Sequence, residues 1–205
     1  MFQLDPELES FREDARKMAE RAFAAKAAYW DEEEIYPTEN LKLLAELGYL
    51  GLVIPEEYGG SGAPIIQGTI LLEEIARVCF NTALVAQVGI NGPSRAIAVL
   101  GNEEQKKRWL PGCVSGENIF GIGISEPGAG SAMTDMITSA TPDGDHIILN
   151  GQKCFCTGGH VATHILVFAR WGKTQGPRGI GALVVEKGTP GFEIGHPGPK
   201  MGGRG

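Results

Sequence analysis

Residues 119–131 read I-F-G-I-G-I-S-E-P-G-A-G-S, and the character of the chain changes at this stretch. An apolar run ends at Ser125, and Pro127, two glycines and Ser131 follow it. A strand that stops at a glycine-rich turn leaves several backbone N–H groups free to point at one ligand, and serine hydroxyls add further donors. The stretch therefore predicts a loop that holds a flat polar ligand or a phosphorylated one.

The part of the chain before this stretch has the pattern of helices. Seven residues between Leu8 and Tyr29 recur at spacings of three and four, which predicts one stripe on one helix. The other predicted helices cover residues 38–47, 65–86, 93–101 and 102–111. The last of these begins with a capping box formed by Asn102 and Gln105, and Pro111 is expected to end it.

The part of the chain after this stretch has the pattern of strands. Runs rich in Ile, Val and Thr, separated by turn residues, predict strands over residues 119–125, 136–141, 146–150, 163–169, 180–186 and 192–194. Residues 1–120 hold 19 acidic and 11 basic side chains, against 6 and 7 in the remainder, so the charge changes at the same place. The sequence predicts an α+β chain, with a helical domain over residues 1–117 and a β domain over residues 118–205.

The composition argues against several kinds of partner. A net charge of −7 gives no electrostatic reason to expect nucleic acid or an anionic membrane. No apolar run approaches the length of a membrane span, and the first ten residues lack a secretory pattern. The four cysteines form no C-x-x-C pair, which favours a reducing compartment. We expect a cytoplasmic location, no nucleic-acid or membrane partner and no metal site.

Five stretches together resemble the acyl-CoA dehydrogenase family, in the order and spacing of that family. They are G-Y-L-G-L-V-I-P-E-E-Y-G-G-S-G (residues 48–62), L-G-N-E-E-Q-K-K-R-W-L-P (100–111), I-S-E-P-G-A-G-S (124–131), N-G-Q-K-C-F-C-T-G (150–158) and K-M-G-G-R-G (200–205). The resemblance covers the whole chain. It implies a helical N-terminal domain and an incomplete β-barrel-like middle domain, with the C-terminal four-helix domain of the family absent.

The resemblance also implies an activity. Members of the family are FAD-dependent oxidoreductases that dehydrogenate an acyl-CoA thioester between its α and β carbons. Because the base of most members lies in the C-terminal domain, the resemblance assigns no catalytic residue here, and this portion alone is expected to be inactive. The implied partners are an acyl-CoA substrate, an electron-transferring flavoprotein as electron acceptor and, for the full-length protein, further copies in a dimer or tetramer.

Two segments are implied to form the flavin site. Ser125 is assigned a hydrogen-bond donor role at the flavin edge, Thr157 a hydroxyl near the flavin N5, and Phe155 an aromatic wall. Ser131 is assigned to both the cofactor and the acyl-CoA substrate. The full set of cofactor residues is Ile122, Ile124, Ser125, Gly130, Ser131, Phe155, Cys156 and Thr157. The chain departs from the family at Ala132, where Asp is usual, and at Phe155, where Trp is commoner.

Several alternatives stay open at this point. Ser125 and Ser131 could be ordinary turn residues, and Phe155 and Thr157 could belong to an ordinary strand. The G-x-G beginning at Gly121 resembles a dinucleotide-binding motif, but Glu126 occupies the third glycine position and no helix pattern follows. The whole protein could instead be an acyl-CoA oxidase, a flavin monooxygenase or a non-catalytic flavoprotein scaffold.

Overall fold

The computed structural model describes residues 3–172, 174 and 176–205, which form two compact units. The helical unit runs to Ile119 and also takes in His196–Gly205, and the β unit is Phe120–Gly195. Helices come first in the chain and a mixed sheet follows, so the predicted α+β fold class is confirmed.

Seven α-helices make up the described part of the helical unit. They are α1 (Pro6–Phe23), α2 (Ala27–Glu32), α3 (Thr38–Glu46), α4 (Ile65–Ala76), α5 (Phe80–Asn91), α6 (Pro93–Leu100) and α7 (Glu103–Ser115). The predicted capping box is present, because Asn102 Oδ1 accepts from the Gln105 N–H and Gln105 Oε1 accepts from the Asn102 N–H. These two bonds satisfy N–H groups that a helix start otherwise leaves unpaired.

Two of the predicted helices are interrupted in the structure. The stripe from Leu8 to Tyr29 breaks after Phe23 at a short 3₁₀ turn, and Tyr29 is exposed. The predicted helix over residues 65–86 is two helices, because Cys79 has extended backbone. The break lets α4 and α5 pack against each other and bury apolar side chains of both.

Pro111 lies inside α7 and does not end it. The helix continues to Ser115, and Gly116 follows in the left-handed conformation with a φ of 77°. Proline costs a helix interior about 3 kcal/mol, because its ring removes one hydrogen bond and crowds the preceding turn. Burial of Leu110 and Cys113 on either side of Pro111 offsets that cost and keeps the helix intact.

A buried carboxylate joins α1 to α4. Glu74 on α4 is only 2% exposed, and it accepts hydrogen bonds from Arg16 Nε at 2.9 Å and from Arg77 Nη1 at 2.8 Å. The hydrogen bond from Arg16 holds the pKa of the Glu74 carboxyl below its usual value, although burial opposes that shift. Because Arg16 belongs to α1, this bond fixes the packing of the two helices.

One helical stretch, Phe80–Leu100, is long and apolar enough to cross a membrane by length and composition, so the expectation that no run has this length is wrong. The stretch is made of α5 and α6, which are interrupted at Gly92. Residues of α5 such as Val85, Ala86 and Ile90 are buried in the helical unit. A core helix has the same apolar composition as a membrane span, so this likeness is weak evidence for one.

The K-M-G-G-R-G stretch packs within the helical unit. The Arg204 N–H donates to Asp31 Oδ1 at 2.9 Å, and the Arg204 guanidinium lies 3.4 Å from Asp31 Oδ2. Gly205 lies so close to the carbonyls of Trp30 and Ile35 that any side chain would clash with them. The motif therefore anchors its own segment beside α2.

The β unit is built around one central strand. The strands are β1 (Phe120–Gly123), β2 (Ser139–Asp143), β3 (His146–Asn150), β4 (His164–Trp171) and β5 (Ile180–Glu186). The central strand β4 pairs in parallel with β1 and β2 and antiparallel with β5, while β2 and β3 form a hairpin. The result is an open mixed sheet.

The sheet matches most predicted strands but omits one. Residues 192–194 form no strand, because Phe192 instead packs from a loop against the buried Ala162, Ile165 and Val167. The predicted strands over residues 119–125 and 136–141 are also shifted or shortened to β1 and β2. Residues 124–125 and 136–138, which these strands lose, belong to the loops that form the candidate site.

We predict that replacing Glu74 by Gln lowers the free energy of unfolding by about 1.5–3 kcal/mol, the usual contribution of hydrogen bonds to a charged group. Urea unfolding at neutral pH measures this loss. Glu73→Gln is the matched control, because Glu73 is an exposed neighbour with a hydrogen-bonded ion pair to Arg12 at 3.4 Å. We expect its effect to stay below about 1 kcal/mol. Equal losses in the two variants would contradict the prediction.

Candidate cofactor-binding site

The chain leaves the sheet after Gly123 and makes a tight turn. The Glu126 N–H donates to the Ala129 carbonyl at 2.9 Å, and the Ala129 N–H donates back to the Glu126 carbonyl at 3.1 Å. Pro127 and Gly128 form the tip of this turn, as their conformational preferences favour. Ile122, Ile124 and Ser125 are half-buried before the turn, and Gly130 and Ser131 are exposed after it.

The Glu126 side chain points inwards and is only 5% exposed. Its carboxylate accepts hydrogen bonds from the Ile137 N–H at 2.7 Å, the Thr138 N–H at 3.0 Å and Lys153 Nζ at 2.7 Å. Burial alone would raise the pKa of this carboxyl, but these donors outweigh burial and lower the pKa to about 2. Glu126 is therefore ionised at neutral pH and closes the loop from its own position to Thr138.

Lys153 joins this loop to the second candidate segment. Its Nζ also donates to the Ile124 carbonyl at 2.9 Å, and the neighbouring Cys154 N–H donates to the Ser125 carbonyl at 2.9 Å. Residues 124–126 are thus bonded to residues 153–154 at three successive positions; we call this arrangement the seam. The seam brings together the two segments that contain the predicted cofactor residues.

Phe155 follows the seam in an unusual conformation. Its φ is 56°, in the left-handed region that costs a non-glycine residue about 1–2 kcal/mol, and its side chain is 92% exposed. Residues 151–156 form no strand, so the alternative that Phe155 and Thr157 belong to an ordinary strand is wrong. Cys154 and Cys156 flank Phe155 as half-buried free thiols. Strained backbone beside an exposed aromatic ring is typical of binding sites.

Hydroxyl donors on these two segments that have no partner within the described residues suit a flat polar ligand. Within the described residues, the hydroxyls of Ser125, Ser131 and Thr157 make no hydrogen bond, and Ser125 and Thr157 are half-buried. Half-buried hydroxyls without partners favour a ligand that supplies acceptors. The isoalloxazine of a flavin has such acceptors along one edge and an apolar face that an exposed ring such as Phe155 can cover. The residues present therefore fit a flavin.

The glycines of β1 have a packing role. A Cβ on Gly121 would lie 2.6 Å from Ile165 Cδ1, and one on Gly123 would lie 3.2 Å from Lys153 Cγ. The turn at Glu126 follows β1, and no helix begins there, so the strand lacks the helix N-terminus that a dinucleotide-binding motif needs. The G-x-G pattern reflects the close approach of β4 and of the Lys153 stem.

Two residues of the site were missed by the sequence analysis. In the sequence, Glu126 stands out only as the residue in a glycine position, and Lys153 has no distinguishing pattern. Their contact spans 27 residues and depends on which strands pair, so neither side chain carried a local signal. A charged residue next to the Pro and Gly of a turn is ordinarily exposed.

A helical unit followed by an open mixed sheet, with a candidate cofactor site on the two seam-joined loops, defines an α+β protein. Comparison with known families identifies it further. Residues 5–117 match the acyl-CoA dehydrogenase N-terminal domain, and residues 121–205 match the acyl-CoA dehydrogenase middle domain. The chain therefore belongs to the acyl-CoA dehydrogenase family, which confirms the resemblance found in the sequence.

Individual relatives agree with this assignment. The short-chain-specific acyl-CoA dehydrogenase of Clostridium acetobutylicum is 37% identical over 201 residues, which cover 98% of this chain and 53% of the relative. The solved acyl-CoA dehydrogenase from Geobacillus kaustophilus is 36% identical with a TM-score of 0.90, covering 98% of this chain and 53% of that one. A chain in the structure of the electron transferring flavoprotein of Acidaminococcus fermentans is 33% identical with a TM-score of 0.92, covering 100% and 54%.

The chain spans about half the length of the curated relatives it matches. The matched half includes both segments of the candidate site. Contacts of individual residues with a flavin or with acyl-CoA stay predictions.

We predict that Glu126→Gln destabilises the protein by about 3 kcal/mol at neutral pH, because Lys153 is left buried without its charged partner. The folded-state pKa of Glu126 is lowered to about 2, so its contribution is complete above the ordinary carboxyl pKa of 4.5. The contribution is lost as the pH falls from there towards 2. Urea unfolding of both proteins across this pH range measures the decline.

Glu193→Gln is the control for this titration, since Glu193 is an exposed carboxylate in the same unit. We expect that variant to differ little from the parent at any pH. A stability difference for Glu126→Gln that is as large at pH 3 as at pH 7 would show that the carboxylate charge is not what stabilises the loop.

Proposed function

We propose that the whole protein to which these residues belong is an FAD-dependent acyl-CoA dehydrogenase, acting between the α and β carbons of an acyl-CoA thioester. The observation that carries this proposal is the pair of seam-joined segments, which presents two unpartnered half-buried hydroxyls and one exposed aromatic ring. Membership of the acyl-CoA dehydrogenase family supports the same reading. The name of the C. acetobutylicum relative supports an acyl-CoA substrate.

The residues of the first segment would hold the polar edge of the cofactor. When bound, FAD supplies the redox chemistry by accepting a hydride. The Ser125 hydroxyl, whose backbone the seam holds in place, is a donor for the edge at which negative charge develops, and a donor positioned in advance needs little reorganisation there. Thr157 supplies a second hydroxyl, and Phe155 offers apolar surface to a ring face.

The exposed end of the first segment would meet the substrate. Ser131 lies beyond the turn, is exposed and has a free hydroxyl among the described residues. Ala132 follows where the family usually has a carboxylate, so this position contributes no charge. We assign neither the catalytic base nor any proton-transfer step to the residues of this chain.

Two further parts of the proposal concern the cellular setting. Similarity to a chain in the structure of the A. fermentans electron transferring flavoprotein supports a flavoprotein of that kind as the electron acceptor. All four cysteines are free thiols, which supports a reducing compartment, and we propose the cytoplasm.

Anaerobic titration of the full-length protein tests the proposed function. We expect the visible flavin absorption to bleach when a short-chain acyl-CoA is added, and an electron-transferring flavoprotein to restore it. Measurement of peroxide per substrate consumed in air separates a dehydrogenase, which forms little, from an oxidase. A flavin spectrum unchanged by short, long and branched acyl-CoAs would refute the proposal.

We predict that Ser125→Ala weakens FAD binding by about tenfold, the equivalent of one hydrogen bond of about 1.4 kcal/mol. Ser125→Thr is the matched variant, because it keeps the hydroxyl, and we expect it to bind FAD almost as well as the parent. Fluorescence titration of each apoprotein with FAD gives the dissociation constants. Equal affinities of the Ala and Thr variants would remove Ser125 from the cofactor site.

A further inference from the structure

We propose that Glu126 and Lys153 are positioning residues, whose buried ion pair sets the spacing of the two cofactor segments and thereby tunes flavin affinity and reduction potential. This inference rests on the proposed function. Neither side chain is placed against the cofactor, because each is occupied by the protein itself. The pair would change flavin affinity and potential by changing where Ser125 and Phe155 lie.

The first argument is where the pair forms its bonds. Lys153 Nζ donates to the carbonyl just before Ser125 and to the carboxylate just after it, at 2.9 Å and 2.7 Å. The Cys154 N–H donates a hydrogen bond to the carbonyl of Ser125 itself. The backbone on both sides of the proposed donor is therefore fixed to the second segment. A movement of Lys153 would move the Ser125 hydroxyl with it.

The second argument is that the pair is a costly way to achieve stability alone. The side chains of Glu126 and Lys153 are 3% and 9% exposed, so both charges are largely removed from water. Well-packed apolar residues in place of a buried ion pair are often as stable or more so. Hydrogen bonds from an ammonium group, unlike apolar contacts, specify direction and distance. Such a pair suits a place where geometry matters.

The third argument comes from the second segment. Phe155 directly follows Cys154, whose N–H bond closes the seam, and it has the left-handed φ of 56°. An exposed ring gains nothing from burial that would hold this conformation. With the seam in place, Cys154 is fixed and Phe155 starts from a defined point. A loosened seam would let Phe155 relax towards ordinary backbone and would displace Thr157.

The test compares single and double variants of the full-length holoenzyme. Glu126→Gln and Lys153→Met each leave one buried charge, whereas the double variant removes both. A pair with a purely structural role predicts that the double variant regains stability, FAD affinity and potential together. A positioning role predicts that stability returns while FAD affinity stays about tenfold weaker and the flavin potential stays shifted.

Three measurements separate these outcomes. Urea unfolding reports stability, and FAD titration reports affinity. Spectroelectrochemistry reports the potential, which falls by about 30 mV if the reduced flavin loses tenfold more affinity than the oxidised one. Amide hydrogen exchange at Cys154 reports the seam directly in the apoprotein, and we expect faster exchange in the double variant. The control is the double variant Lys187→Met with Glu193→Gln, which removes one ammonium and one carboxylate from exposed positions of the β unit.

Each result bears on one conclusion. A stable double variant with parental affinity, potential and Cys154 exchange overturns the positioning role and leaves the proposed function standing. A parent protein that binds no FAD overturns both. If the double variant fails to fold, Glu126→Asp replaces it in the test. This variant keeps both charges but shortens the side chain that bears the carboxylate by one methylene. Parental FAD affinity and potential in that variant, with slowed or unchanged Cys154 exchange, also overturn the inference.

Discussion

Lys153 carries an ammonium group into the β unit, where the Ile124 carbonyl and the Glu126 carboxylate accept its hydrogen bonds. A buried charge without such partners would cost several kcal/mol, so the position of each acceptor is constrained by the other. The need to place Lys153 between its two acceptors also explains why β1 has a glycine at position 123. Gly123 leaves room for the Lys153 stem, since a Cβ there would lie only 3.2 Å from Lys153 Cγ and would crowd it.

The two units each contain a buried carboxylate, and they satisfy it with different donors. Glu74 relies on the guanidinium groups of Arg16 and Arg77, because the backbone of a helix interior is already paired with itself. Glu126 lies in a loop, and its carboxylate accepts from the backbone N–H groups of Ile137 and Thr138. A carboxylate between helices therefore joins two elements through side chains, whereas one in a loop shapes the backbone of the loop itself.

Local chemistry made some elements predictable from the sequence. The capping box at Asn102 depends on residues three apart, and the strands over residues 146–150 and 180–186 are marked by their own composition and turns. The same reasoning gives the wrong helix end at Pro111, because burial of its neighbours outweighs the tendency of proline to end a helix. The loops of the candidate site were predicted from glycine, proline and serine. The ion pair of Glu126 and Lys153 could not be, since it joins residues that are 27 apart in the chain and come together only in the folded β unit.

Phe155 shows how these constraints bear on function. A left-handed backbone is unfavourable for phenylalanine, and exposure of its ring forgoes the burial that usually offsets such a cost. Nothing in the local sequence favours that combination, and the hydrogen bond from the Cys154 N–H to the Ser125 carbonyl fixes the residue just before Phe155. A site that keeps an aromatic ring exposed and fixed is already arranged for a flat partner, which would recover the missing burial on binding. The left-handed backbone of Phe155 and the two hydrogen bonds of Lys153 belong to one arrangement, in which the seam holds the backbone while the ring beside it stays exposed.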